Sequence, residues 1–211
     1  MEEVFPQTLL ILGFPVRDTV VSTWITIAII IVGAWVLRRT APTALEMLVD
    51  FLRGTIADVM GSVDPDPFVP FLGTLLIFLV VANNAGVFPL LQTPTKDINT
   101  PIALAVVVFF AVYVFGFRQK GVLGYLRELA SPLFILDLIG QLSRTLSLSL
   151  RLFGNIIAGE IIVAVIYRLV KPIAPLAMVG LGLITAVLQA YIFTILATSA
   201  ISSAVQPRSS K

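Results

Sequence analysis

The stretch Leu133 to Val170 is dominated by Leu, Ile, Val, Phe and Ala, yet it carries Asp137, Arg144, Arg151 and Glu160. Placing an arginine at the centre of a membrane helix costs roughly 2.5 to 3.5 kcal/mol on insertion scales, so Arg151 must face protein, water or a counter-ion. It keeps its proton, whereas a carboxyl such as Glu160 can take one up and release it. A fixed cation and a titratable acid in an apolar segment suit ion movement, and Arg151 is the leading functional candidate. Bond-making chemistry has no comparable support. The chain has no Cys and no His, which removes disulfides, thiolate clusters, the commonest metal ligand and the commonest neutral-pH proton carrier. There is no nucleophile with a base and no Gly-rich loop ending in Gly-Lys-Ser or Gly-Lys-Thr, so no nucleotide chemistry is expected of the chain itself. Neither a cofactor nor a metal is called for.

The spacing of these groups carries a geometric consequence. At 100° per residue, steps of seven bring Asp137, Arg144 and Arg151 close to one stripe, with about 20° of drift each time. Asp137 and Arg144 have a plainer account as headgroup anchors, because long side chains can snorkel to the membrane surface. Arg151 lies about 27 Å along the axis from Leu133, too deep for that account; a buried ion pair is its structural alternative. Glu160 follows about 13.5 Å further on and half a turn out of phase, so the two cannot pair on one helix. A cation and an acid on opposite faces could serve separate aqueous paths. Ser147 and Asn155 border Arg151 one turn before and one turn after, although Ser147 could equally bond back to the preceding turn. In the next apolar stretch Gln189, one turn after Thr185, is the only amide before the terminal Gln206, and a buried amide wants partners.

The elements that must position these residues are membrane helices. Hydrophobic residues make up 58% of the chain and charged residues 12%, with a mean hydropathy of +1.02; soluble domains carry about 25% charged residues. Crossing a hydrocarbon core of about 30 Å takes about 20 helical residues. Residues 19–37 hold no charge between Arg17-Asp18 and Arg38-Arg39 and form the first span. In 41–60, Glu46, Asp50, Arg53 and Asp58 interrupt Leu45, Leu48, Val49, Leu52 and Ile56 at helical spacing, the pattern of an amphipathic surface helix. Pro65, Pro67 and Pro70 end it. Residues 71–91, with Asn83 and Asn84 near the far end, form the second span and 102–117 the third. Between them lies the polar loop QTPTKDINTP, and after them an aqueous loop over 118–132. The start, MEEVFPQTLL, lacks the basic region and cleavage site of a secretory signal and is expected to be retained.

Residues 133–170 and 172–206 are longer, on the order of 55 Å each if wholly helical, too long to stand upright. Either Gly140, Gly154 and Gly159 break the first, or both helices tilt beyond the usual limit of about 40°. No polar loop interrupts either, which favours a tilted antiparallel hairpin turning at Pro172 and Pro175. The expected fold is an all-α integral membrane protein, one domain over 1–211, with five membrane segments, three ordinary and two long and strongly tilted as an antiparallel hairpin, plus one amphipathic surface helix. No internal repeat is visible, which speaks against an inverted-repeat transporter. With the N-terminus outside and the C-terminus inside, inner loops hold Arg38, Arg39, Arg53, Arg118, Lys120, Arg127, Arg208 and Lys211. Only Arg17, Lys96, Arg168 and Lys171 remain outside, the asymmetry expected of a membrane protein so oriented. The net charge of +2 comes without a basic run, so nucleic acid is not an expected partner.

Three motifs carry a resemblance. SLSLRLFGNIIAGE, Ser147 to Glu160, closely resembles the signature of subunit a of the membrane (Fo) sector of F-type ATP synthases. LQAYIF, Leu188 to Phe193, resembles its partner motif on the last helix, and PTKDINTPIALA, Pro94 to Ala105, is similar to the family's loop leading into a membrane helix. The resemblance spans nearly the whole chain in order and spacing. It implies a stator beside a rotating ring of c subunits, with peripheral-stalk b subunits as further partners, in an energy-coupling membrane such as the bacterial inner membrane. Two offset half-channels would bring a coupling ion, proton or sodium, to and from the ring. Arg151 would be the essential stator arginine, promoting deprotonation of the ring carboxylate and preventing a short-circuit. Asn155, Glu160 and Gln189 would line the outer half-channel, Asp97 and Asn99 would sit near its mouth, and Ser147, Ser143 and Asp137 would fall along the inner route. Some members have a His on the last helix where this chain has Gly182; here Glu160 and ordered water would have to carry that pathway. A lone transporter or a structural scaffold are the rival classes.

Overall fold

The computed structural model describes residues 8–11, 14–88, 91–129, 133–169 and 173–206. Two short strands, β1 (Thr8–Ile11) and β2 (Phe14–Arg17), pair antiparallel with Thr8 opposite Arg17. Hydropathy does not announce this hairpin, which is the one strand pairing among the described residues. Six helices follow: α1 (Asp18–Thr40), α2 (Pro42–Met60), α3 (Val69–Asn84), α4 (Asn99–Leu129), α5 (Leu133–Leu169) and α6 (Ile173–Val205). Stretches within α1, α3, α4, α5 and α6 are long and apolar enough to cross a membrane, so the chain is an all-α integral membrane protein.

α1 is turned inside out relative to a soluble helix. Its buried residues are Thr19, Ser22 and Thr26, while Trp24, Ile27, Ile31 and Trp35 are exposed. In lipid the apolar side needs no cover, and the polar stripe is what must find partners within the protein. Arg38 and Arg39 in its last turn complement the negative end of the helix dipole.

α2 starts with Pro42 in its first turn, where a missing N–H costs nothing, and stops at Gly61, whose φ of 65° suits glycine. Leu52, Ile56 and Met60 are buried, while Glu46, Asp50, Arg53 and Asp58 are exposed. Val49 falls on the exposed side, because its 100° step from Leu48 carries it off the packed stripe.

α3 supplies the centre of the core. Leu72, Leu75, Leu76 and Leu79 pack with Leu52 and Ile56 of α2, Val108 and Val112 of α4, Leu148 and Leu152 of α5, and Phe193 and Ile201 of α6. On α6 the buried face is lined with Ala186, Ala190, Thr194, Ala197, Thr198 and Ala200, small residues that let membrane helices approach closely. The Thr194 and Thr198 hydroxyls donate to the Ala190 and Thr194 carbonyls at 3.0 and 2.8 Å, which satisfies them in the absence of water.

Three features differ from the sequence expectation. The second span, α3, ends at Asn84 and passes into a 3-10 turn at Ala85–Val87, well short of Leu91. The segment over 118–132, expected as an aqueous loop, is helical through Leu129 after a break at Gly121, where φ is 73°. Its charges suggested water, but Leu123, Leu126 and Leu129 recur at helical spacing and only the glycine interrupts the run. The loop between α3 and α4 is buried rather than solvated, as described below.

α5 and α6 run unbroken for 37 and 33 residues. Gly140, Gly154 and Gly159 do not interrupt α5, and a Cβ at each would meet nothing within 4 Å. Helices of this length exceed the hydrocarbon thickness by roughly 20 Å. Thr145, Leu148, Ser149, Leu152 and Ile156 form the buried stripe of α5, at the 3 and 4 residue steps that keep one face against its neighbours.

Candidate functional site

The segment from Leu91 to Ile98 dives back between the helices. Thr93, Pro94, Thr95, Lys96 and Asp97 are all buried, with a 3-10 turn at Pro94–Lys96. A buried irregular backbone with polar side chains is stable only if those groups find partners, and each of several helices contributes one. The Gln92 N–H donates to the Ser22 hydroxyl of α1 at 3.0 Å. The Thr95 hydroxyl donates to Oδ1 of Asn83 on α3 at 2.8 Å, and Nδ2 of Asn83 donates to the Ala186 carbonyl of α6 at 3.1 Å. Gly86 makes the approach possible, since a Cβ there would collide with the Thr93 hydroxyl.

Asp97 is held at the hairpin end of this array. Its carboxylate accepts from Nη1 of Arg17 at 2.7 Å, the Thr19 hydroxyl at 3.2 Å and the Asn99 N–H at 3.1 Å. Burial by itself would push the Asp97 carboxyl up. The Arg17 guanidinium, the Asn99 N–H and the Thr19 hydroxyl outweigh that, and hold it below the ordinary carboxylate range. Asn99 is exposed beside it, and Arg17, Thr23, Asp97, Asn99 and Thr100 are among the residues lining an open cleft of about 350 Å³ between α1 and α4.

Deeper in the same loop, Lys96 has a fully buried side chain. Its ammonium donates to Oε1 of Gln92 and lies 3.9 Å from Oε2 of Glu160 on α5. The Thr93 hydroxyl also hydrogen-bonds Glu160, whose side chain is 29% exposed. From sequence Lys96 reads only as an outer-loop charge, and nothing there marks Thr93, Thr95 or Arg17 as site residues. No local pattern marks a buried lysine in a loop; the one signal was a lysine inside the motif PTKDIN itself.

Arg151 occupies a different environment. It is exposed on α5 and, among the described residues, makes no hydrogen bond or ion pair. Ser143, Arg144 and Ser147 are exposed on the same helix, and Asn155 is half-buried. Asp137 lies on the α5 backbone, its side chain outside the described residues. Gln189 is buried on α6, and its Nε2 has no partner among the described residues. The structure thus brings Asp97, Asn99 and Glu160 to one loop-centred array, and leaves Arg151, Ser147 and Ser143 on the open side of α5.

These features define a helical membrane protein that buries a polar loop among its helices and exposes Arg144 and Arg151 on α5. A family model described as "ATP synthase A chain" matches residues 20–202. The chain is 44% identical to "ATP synthase subunit a 2" of Bradyrhizobium sp., over 94% of each chain. It is 40% identical to "ATP synthase subunit a 2" of Picosynechococcus sp., over 93% of this chain and 89% of that protein. It is 32% identical to "ATP synthase subunit a" of Moorella thermoacetica, over 97% of this chain and 99% of that protein. The chain belongs to the ATP synthase A chain family, the subunit a of the membrane sector. It is a bacterial integral membrane subunit, non-catalytic in itself, with other ATP synthase subunits as its partners and ion translocation as its field of work.

Proposed function

We propose that this subunit is the stator that faces a ring of c subunits, with b subunits of the peripheral stalk beside it, and provides two half-channels for a coupling ion, a proton or a sodium ion. The observation that carries the reading is Arg151, a charge exposed on α5 with no partner among the described residues. A guanidinium so placed in an apolar membrane needs water or a counter-charge, and a carboxylate on a neighbouring subunit would supply the latter. A ring carboxylate passing it would be held in its charged form and would release its ion on approach. Because the arginine keeps its proton, it blocks direct passage of ions between the two channels.

In this reading Glu160, Asn155 and Gln189 serve the outer half-channel, with Asp97 and Asn99 near its mouth. Ser147, Ser143 and Asp137 serve the inner route, and the N-terminus lies outside with the C-terminus inside. The length of α5 and α6 supports strong tilt, since each exceeds the membrane's hydrocarbon thickness. The chain then acts as one domain over 1–211. Substitution Arg151→Ala in the assembled complex tests the reading. ATP-driven ion pumping is expected to disappear while the complex still assembles; normal pumping would reject the stator role.

A further inference from the structure

Glu160 is reached by three groups outside its own helix. The Lys96 ammonium lies 3.9 Å away, the Thr93 hydroxyl bonds it, and the charge of Asp18 at the start of α1 is felt there as well. The 3.9 Å separation is an ion-pair distance, longer than the 2.7 to 3.2 Å of a direct hydrogen bond, so the two charges attract without being locked together. The lysine is fully buried. Burying an ammonium is costly unless it is paired, and Glu160 and Gln92 are among the groups that offset that cost.

We propose that Lys96 is a positioning residue: a tethered counter-cation that holds the Glu160 carboxylate against the α3–α4 loop and competes with any mobile monovalent cation for it. This rests on the outer half-channel reading of Glu160 and adds to it a residue that sets how firmly the passing ion is retained. A free cation arriving at Glu160 meets a fixed positive charge about 4 Å away. At an effective dielectric near 20, that repulsion weakens its binding by up to roughly a thousandfold. Partial exposure of Glu160 screens the effect, leaving an expected shift of roughly tenfold or more. The ion therefore passes Glu160 without dwelling there. Arginine at position 96 would preserve the charge; methionine would preserve the length and bulk without it.

The test measures ion flux of the assembled complex in vesicles against the proton and the sodium concentration, each varied with the other fixed. Lys96→Met is expected to lower the half-saturating concentration of the coupling ion by roughly tenfold or more, while Lys96→Arg keeps it within about threefold. In a Glu160→Gln background the Lys96→Met shift should vanish. An unchanged half-saturating concentration in Lys96→Met, whatever happens to the maximal rate, overturns the proposal, as does the same shift in the Glu160→Gln background. Should Lys96→Met fail to assemble, Lys96→Gln reads the same quantity with a neutral amide donor in place of the ammonium. The stator reading is judged separately, by pumping in Arg151→Ala with Lys96 intact.

Discussion

The substitution Asn83→Leu tests whether the buried loop is held by the polar chain from Thr95 through Asn83 to Ala186. Leucine keeps asparagine's branching and number of side-chain heavy atoms, so the loss is chiefly of hydrogen bonds. The Thr95 hydroxyl, 0% exposed, loses its acceptor; a buried group orphaned in this way costs about 1 to 3 kcal/mol. The Ala186 carbonyl keeps its bond within α6 and loses only the second one, from Asn83, worth about 0.5 to 1 kcal/mol. In a membrane the unfolded state also finds partners, which draws the total toward about 2 to 3 kcal/mol. Reversible unfolding of the full chain in mixed micelles by titration with sodium dodecyl sulfate measures it. A double-mutant cycle with Thr95→Val isolates the shared bond, for which a coupling of about 0.6 to 1.7 kcal/mol is expected. Strict additivity of the two substitutions, or a cost for Asn83→Leu below about 0.5 kcal/mol, would refute the chain of bonds as the loop's support.

Two further outcomes follow from the same array. The Asp97 carboxyl is held below its ordinary range, so its contribution to stability is fully present above its unfolded value near pH 3.9 and is lost as pH falls through that value toward the lower folded one. Thermal melting between about pH 5 and pH 3 should therefore fall more steeply for the native chain than for Asp97→Asn; equal slopes would count against the Arg17–Asp97 clamp. Gly86→Ala places a methyl group against the Thr93 hydroxyl and should displace the loop from Glu160. A cysteine-accessibility assay at position 93 should show faster labelling in that variant than in the chain with Gly86 intact, and an unchanged rate would refute the displacement.

Much of the architecture was readable from local pattern. The apolar runs, the amphipathic repeat of α2 and the absence of any polar break in α5 and α6 are properties of short windows of sequence, and helix formation in lipid depends on little else. The half-turn between Arg151 and Glu160 is likewise a matter of 100° per residue. The structure keeps the two apart, with Arg151 exposed and Glu160 against Lys96. Where local pattern misled, charge was the reason. Arg118, Lys120 and Arg127 suggested a loop where the backbone is helical, and the polar run QTPTKDINTP suggested solvent where five consecutive residues are buried.

The sequence by itself determined that this is a membrane protein of helices, which segments could span, and that Arg151 needed a partner, because hydropathy and helical phase are local quantities. Only the tertiary structure decided that Arg17 clamps Asp97, that Asn83 joins the loop to α6, and that Lys96 stands before Glu160. Those pairs are separated by 80 residues in the first case and 103 between Asn83 and Ala186. The fate of a charge in a loop, solvated or buried, turns on whether a partner from another helix arrives within a few ångströms, and the spacing of residues along one segment cannot say which helix that will be.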